Sequence, residues 1–132
     1  MVLPISEIDF SGLPNDYPKI VTYDAKWMDG TKEFEGTKGL CPAQLPTEIE
    51  REVRDVALRA YNLMGCRDYA RVDIRLSKAM KPYVLEVNPN PDLSDDAGYH
   101  RSAKAAGYSY PDAIGKIVGF AVERHEQKKN VS

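Results

Sequence analysis

A chain of 132 residues is long enough for one packed core and short for two domains. Its 42% hydrophobic and 29% charged residues fit an ordinary globular protein, and a net charge of −2 offers no basic field to hold nucleic acid or an anionic membrane. No apolar run approaches the about 18 residues of a membrane span, the start MVLPISEIDF lacks the regions of a secretion signal, and Cys41 and Cys66 form neither a disulfide framework nor a metal knuckle, so a reducing cytoplasm is expected.

In chain order, residues 2–10 begin extended, with Pro4 favouring an edge or an irregular start. Gly, Pro, Asn and Asp make 11–18 a loop. KIVTYDAKW (19–27) reads as a short strand. The stretch 29–45 carries scattered charge and no period, as functional or mobile loops do. Residues 47–64 form the clearest helix. Thr47 with Glu50 fits a capping box, Ile49, Val53, Val56, Ala57, Ala60, Tyr61 and Met64 line one face, and Gly65 stops it. A short helix is expected near 99–106, ended by Gly107. A last helix starts near Pro111, capped by Ser109 or Tyr110, and buries Ile114, Ile117, Val118, Ala121 and Val122. Residues 126–132 read as a frayed tail, and 1–132 as a single α+β domain in which an antiparallel sheet is packed by helices.

Between the first two helices lie two alternating runs, YARVDIRL (69–76) and PYVLEVN (82–88), joined by a short polar connection: an antiparallel hairpin. With a four-residue loop 78–81, Leu76 faces Tyr83, Ile74 faces Leu85 and Val72 faces Val87, giving one apolar face. The other face then sets Asp73 against Glu86 and Arg71 against Asn88. A slip of one residue would place carboxylates among the apolar side chains, which burial forbids. Directly opposed residues have Cβ atoms about 5 Å apart. Two carboxylates at that range ask for a cation or a proton between them. With Asn88 two residues along, the face offers three hard oxygen donors, a set for Mg²⁺ or Mn²⁺ and not for zinc. The same pattern also describes the solvated outer face of a two-layer sheet. The run EVNPNP (86–91) favours the first reading, because two prolines straight after a strand force an abrupt extended exit that surface strands seldom need.

ARVDIRL (70–76) followed by YVLEVNPNP (83–91) resembles the C-terminal part of the D-alanine–D-alanine ligase branch of the ATP-grasp superfamily. YDAKW (23–27), CPAQL (41–45), LMGCRDYAR (63–71) and AAGYSYPDAI (105–114) extend the likeness over nearly the whole chain, in order and at compatible spacing. The resemblance implies the C-terminal half of an ATP-grasp domain, with ATP and Mg²⁺ (or Mn²⁺) as cofactors and a small-molecule carboxylate and amine as substrates. Asp73 and Glu86 would hold one cation, and Glu86 and Asn88 a second. Arg71 would stabilise phosphoryl transfer and the tetrahedral intermediate, Lys26 would contact the ATP phosphates, and 29–45 would be the lid. It also implies a first lobe carried upstream, so that this chain is a fragment inactive by itself, and it admits a homodimer. A non-catalytic module that binds metal or a partner is the alternative. Two positions depart from the family's pattern. Asp92 stands where the ligases place Gly, and LSDDAGYH (93–100) replaces the Ser-x-Ser-Leu element that anchors an acceptor carboxylate. Asp95 and Asp96 there imply an acceptor recognised as an amine or cation, unless they only cap the short helix.

Overall fold

The computed structural model describes residues 1–21 and 30–129, apart from the side chains of Glu33 and Phe34. In chain order the elements are β1 (Glu7–Asp9), α1 (Lys32–Glu35), β2 (Lys38–Leu40), α2 (Thr47–Leu63), β3 (Arg71–Leu76), β4 (Pro82–Asn88), α3 (Gly98–Ala105) and α4 (Tyr110–Lys129). The strands form two separate antiparallel pairs, β1–β2 and β3–β4. Most of the strand expected over 19–27, Lys26 included, lies outside the described residues.

The first pair corrects the reading of 29–45 as irregular throughout. The extended N-terminal segment needs partners for its backbone, and residues 38–40 provide them, with Glu7 opposite Leu40 and Asp9 opposite Lys38. The ladder continues past the strands, where Ala43 N–H meets the Ile5 carbonyl at 2.7 Å. Gly39 is required by close approach: a Cβ there would sit 1.9 Å from Arg101 Nη1 on α3. The flat guanidinium lies on the bare backbone, donates to Ser6 Oγ at 3.3 Å, and so ties this pair to α3.

Helix α2 packs across both strands of the second pair. Its start differs from the expected capping box. Pro46 occupies the N-cap position, no side chain caps the helix, and the Glu50 carboxylate turns along the helix to Arg54 at 2.9 Å. Arg54 Nη1 then donates to the Val2 carbonyl at 3.0 Å, fastening the N-terminal segment. The expected stop does occur. Gly65 adopts φ 64°, Cys66 N–H reaches the Tyr61 carbonyl and Gly65 N–H that of Asn62, the paired bonds of a Schellman end.

Helices α3 and α4 pack on each other, and the two positions buried there are alanines, Ala103 and Ala113. A second correction concerns α4: it turns its Ala113 side inward, and Val118 and Val122 come round to the far side of the helix, where they are 57% and 50% exposed, not buried. Ser109 caps α4 reciprocally with Asp112, Oγ to Oδ2 at 2.5 Å and Asp112 N–H to Ser109 Oγ at 3.3 Å. The helix continues to Lys129, into the stretch read as tail. Among the described residues the buried hydrophobic side chains of the helices are Val53, Ala103 and Ala113. Correspondingly the accessible surface, 9452 Å², exceeds the roughly 7,000 Å² of a compact protein of this length.

Candidate metal and nucleotide site

The site is built on the β3–β4 hairpin, and two ends of that hairpin impose different registers. At the turn, Met80 N–H reaches the Ser77 carbonyl and Ser77 N–H the Lys81 carbonyl, both at 2.9 Å. Met80 adopts φ 61°. This is a three-residue connection with a left-handed last residue, not the four-residue loop expected. It sets Leu76 against Pro82, Arg75 against Tyr83 and Ile74 against Val84. At the other end the expected pairs are present: Asp73 against Glu86, Val72 against Val87 and Arg71 against Asn88. The pairings of Ile74 with Leu85 and Leu76 with Tyr83 are therefore wrong. A β-bulge after Asp73 takes up the one-residue difference, leaving Leu85 without an opposite number and 66% exposed. Bulges of this kind re-aim side chains beside functional sites.

Asp73 and Glu86 are thus direct cross-strand neighbours, with Asn88 two residues further on the same strand as Glu86. Arg71 and Asp73, two apart on one strand, share a face. Arg71 Nε donates to Asp73 Oδ1 at 2.7 Å and its Nη2 to Oδ2 at 3.0 Å. These bonds, foremost, hold the Arg71 guanidinium charged beyond its usual range, and the negative charge of Glu86 and Asp92 adds to the effect. The i, i+2 spacing puts the two residues on one face, but the chelate itself depends on side-chain direction and is not among the sequence expectations. Asn88 Oδ1 accepts Asn90 N–H at 2.9 Å, and Asn90 Oδ1 accepts the Tyr69 hydroxyl at 2.7 Å.

These residues fit a hard divalent cation. A carboxylate offers about four lone-pair positions, so Asp73 keeps acceptor capacity beside Arg71, and the Asn88 oxygen keeps one lone pair beside its single donor. The set of two carboxylates and a carboxamide is all oxygen, as Mg²⁺ requires. No cluster of three or more His, Cys, Asp or Glu stands ready for a metal among the described residues.

Asp92 is folded back on its own loop, taking Ser94 N–H at 2.8 Å and Ser94 Oγ at 2.6 Å. Those two bonds, the side-chain one first, depress its pKa, with Arg71 adding a smaller pull. A carboxylate depressed in the folded state loses its contribution to stability only as pH falls through that lowered value. Ser94→Ala is therefore expected to move the Asp92 titration up towards 3.8, read from the side-chain carboxyl carbon in an NMR pH titration. An unmoved midpoint would assign the shift to the loop backbone alone. Asp95 and Asp96 do not cap the short helix: the N-cap position is Ala97, and no side chain bonds there. Both cysteines are free and half-buried, and Cys41 Sγ donates to the Ile5 carbonyl at 3.5 Å, a packing role.

The entry to β3 is held from α4. Asp68 adopts φ 62° and pairs with Arg124, fixing the turn from which Tyr69 and Arg71 emerge. Neither Asp68 nor Arg124 is singled out by the sequence pattern, because the contact joins residues far apart in the chain. Beyond the site, Arg75 continues the Arg71–Asp73 face, lies over the Phe10 ring at 5.8 Å and donates to the Lys19 carbonyl at 2.7 Å. The loop after β1 is thereby tied to the turn end of this face.

A helix packed behind a hairpin that presents Asp, Glu and Asn on one face, with a proline-bearing exit and a further helix pair beside it, is the arrangement of the C-terminal half of an ATP-grasp fold. The chain belongs to the D-ala D-ala ligase C-terminus family, whose model matches residues 2–119. The D-alanine–D-alanine ligase of Shouchella clausii is 35% identical over 95% of this chain and 36% of its own length. A crystal structure of the Bacillus anthracis D-alanine–D-alanine ligase superposes over 96% of this chain and 37% of that one, with TM-score 0.72 and 28% identity. The same ligase complexed with ATP gives TM-score 0.66 and 29% identity over 72% of this chain and 32% of that one. The chain spans about a third of the length of these relatives.

Proposed function

We propose that this chain is the cation- and nucleotide-binding part of an ATP-dependent carboxylate–amine ligase that works through an acyl phosphate. The observation that carries the reading is Asp73 facing Glu86, with Asn88 continuing the face. Bound Mg²⁺ or Mn²⁺, held by Asp73, Glu86 and Asn88, would neutralise and align the terminal phosphates of ATP. Arg71 supplies a fixed positive charge to the transferred phosphoryl group and then to the tetrahedral intermediate. Lys26, outside the described residues, would contact the phosphates as the resemblance implies. Asp92, held in its turn by Ser94, keeps a negative charge beside the place where relatives with Gly present a bare N–H. With Asp95 and Asp96 following, this favours an acceptor recognised as an amine or cation over one gripped by its carboxylate.

The remaining lobe of such a ligase is the partner that the surface asks for. Leu58, Leu63 and Met64 of the α2 region, Tyr83, Val84 and Leu85 of β4, and Val118 and Val122 of α4 are 41–87% exposed, apolar side chains that such a lobe would cover. A homodimer would cover part of the same surface, and the cytoplasm is the compartment proposed. No helix among the described residues is long and apolar enough to cross a membrane. The other reading, a non-catalytic module, draws on Arg71 holding both oxygens of Asp73, an arrangement that neutralises the carboxylate without any cation.

Isothermal titration of Mg·ATP into the 132-residue chain, with Glu86→Gln alongside, separates the two. Heat that is lost in the variant supports the ligase site. Equal binding by both proteins, or binding by neither, overturns it.

A further inference from the structure

We infer that Tyr69 and Asn90 are positioning residues that select which end of the Asn88 carboxamide faces the Asp73–Glu86 site. The inference rests on the reading of Asn88 as a cation ligand and adds the device that makes it one. A carboxamide presents either an oxygen, which ligates a cation, or an NH₂, which repels it. On a strand end followed by a bend, nothing intrinsic to asparagine decides between them. Here a backbone donor does: Asn90 N–H donates to Asn88 Oδ1 at 2.9 Å, and an N–H placed there can bond only the oxygen. The NH₂ end is thereby excluded from that position, and the oxygen keeps a second lone pair.

The donor is itself held in place. Residues 88–91 leave β4 between two prolines, Pro89 and Pro91, and Pro91 is buried. The Asn90 side chain takes the Tyr69 hydroxyl at 2.7 Å, which ties the exit of β4 to the entry of β3. The Tyr69 ring is fixed in turn against Tyr99 at the start of α3, edge to face with centroids 5.9 Å apart. Burial keeps the Tyr99 hydroxyl protonated to higher pH than usual, so this face of the contact stays neutral. The line from Tyr99 through Tyr69 and Asn90 to Asn88 is continuous. The effect of Tyr69 and Asn90 on the site runs through Asn88. Outer-shell partners of this kind are worth about 10- to 100-fold in metal affinity.

The test is Mn²⁺ binding by the 132-residue chain, followed by the paramagnetic resonance signal of free Mn²⁺, with the metal-free melting temperature measured on the same samples. Tyr69→Phe, which removes only the hydroxyl, and Asn90→Ala are each expected to weaken Mn²⁺ about tenfold. The double variant should be no weaker than either single one, because both break one link. Asn90→Asp keeps an acceptor for Tyr69 and should bind at least as well as the parent, which a generally damaged loop would not do. The melting temperature should stay within about 2 °C throughout. Asn88→Ala is the control for the underlying reading. If it binds like the parent, or the parent binds no Mn²⁺, Asn88 is not a ligand and both ideas fall. If Asn88→Ala loses Mn²⁺ while Tyr69→Phe and Asn90→Ala keep it, the positioning role alone is wrong. Additive losses in the double variant, or losses that follow a fall in melting temperature without rescue by Asn90→Asp, also overturn it.

Discussion

Arg71→Ala is expected to tighten Mn²⁺ binding by this chain about tenfold while weakening its hold on ATP. The guanidinium is bonded to both oxygens of Asp73, so in the absence of nucleotide it competes with a cation for the same carboxylate. A unit positive charge roughly 5 Å from a divalent ion costs about 1.7 kcal/mol even at the dielectric constant of water, a little over a factor of ten. In the proposed site the charge that would impede a bare cation is also the one that would receive phosphate, so the two affinities should move in opposite directions. In a ligase containing this chain, turnover should fall by about 10²- to 10³-fold, the cost of removing a fixed donor aimed at developing charge. Parallel titrations with MnCl₂ and with Mn·ATP check the first part. A variant that binds bare Mn²⁺ more weakly than the parent would mean that Arg71 organises the carboxylates and does not compete for them.

Ala103→Leu is expected to destabilise the chain by about 1–3 kcal/mol, the usual penalty for forcing a larger side chain into a filled core. Ala103 is 1% exposed and lies where α3 meets α4, so added methylenes have nowhere to go without separating the helices. Against a total of about 5–15 kcal/mol for a domain, and with three buried hydrophobic side chains in the described helices, that is a large fraction. The urea midpoint should fall with an unchanged slope. Val118→Ala on the exposed side of α4 provides the contrast, since Val118 is 57% exposed and its truncation should stay within about 0.5 kcal/mol. Equal losses from the two substitutions would show that α4 is buried on its other face in solution.

What could be read without coordinates follows from how local each determinant is. The helix 47–64 and its Gly65 stop are set by neighbours a few residues apart, and so is the alternation that puts Asp73 against Glu86. The β1–β2 pair brings 7–9 to 38–40, and three-residue strands with so much chain between them carry no usable period. The turn end of the hairpin was misread for a different reason. Met80 takes a left-handed conformation that its side chain does not advertise, as Gly or Asn would have done. At the site, residue types and register marked Asp73, Glu86 and Asn88. The Arg71 chelate and the Tyr69–Asn90 bond depend on side-chain direction across the face, which a pattern of types does not contain.

The bulge at Leu85 separates two structural tasks. The turn sets its own register through the left-handed Met80, and the site end sets another, with Asp73 opposite Glu86. The slack residue between them lets each end of the hairpin settle without forcing the other, so the acidic pair does not inherit the geometry of the turn.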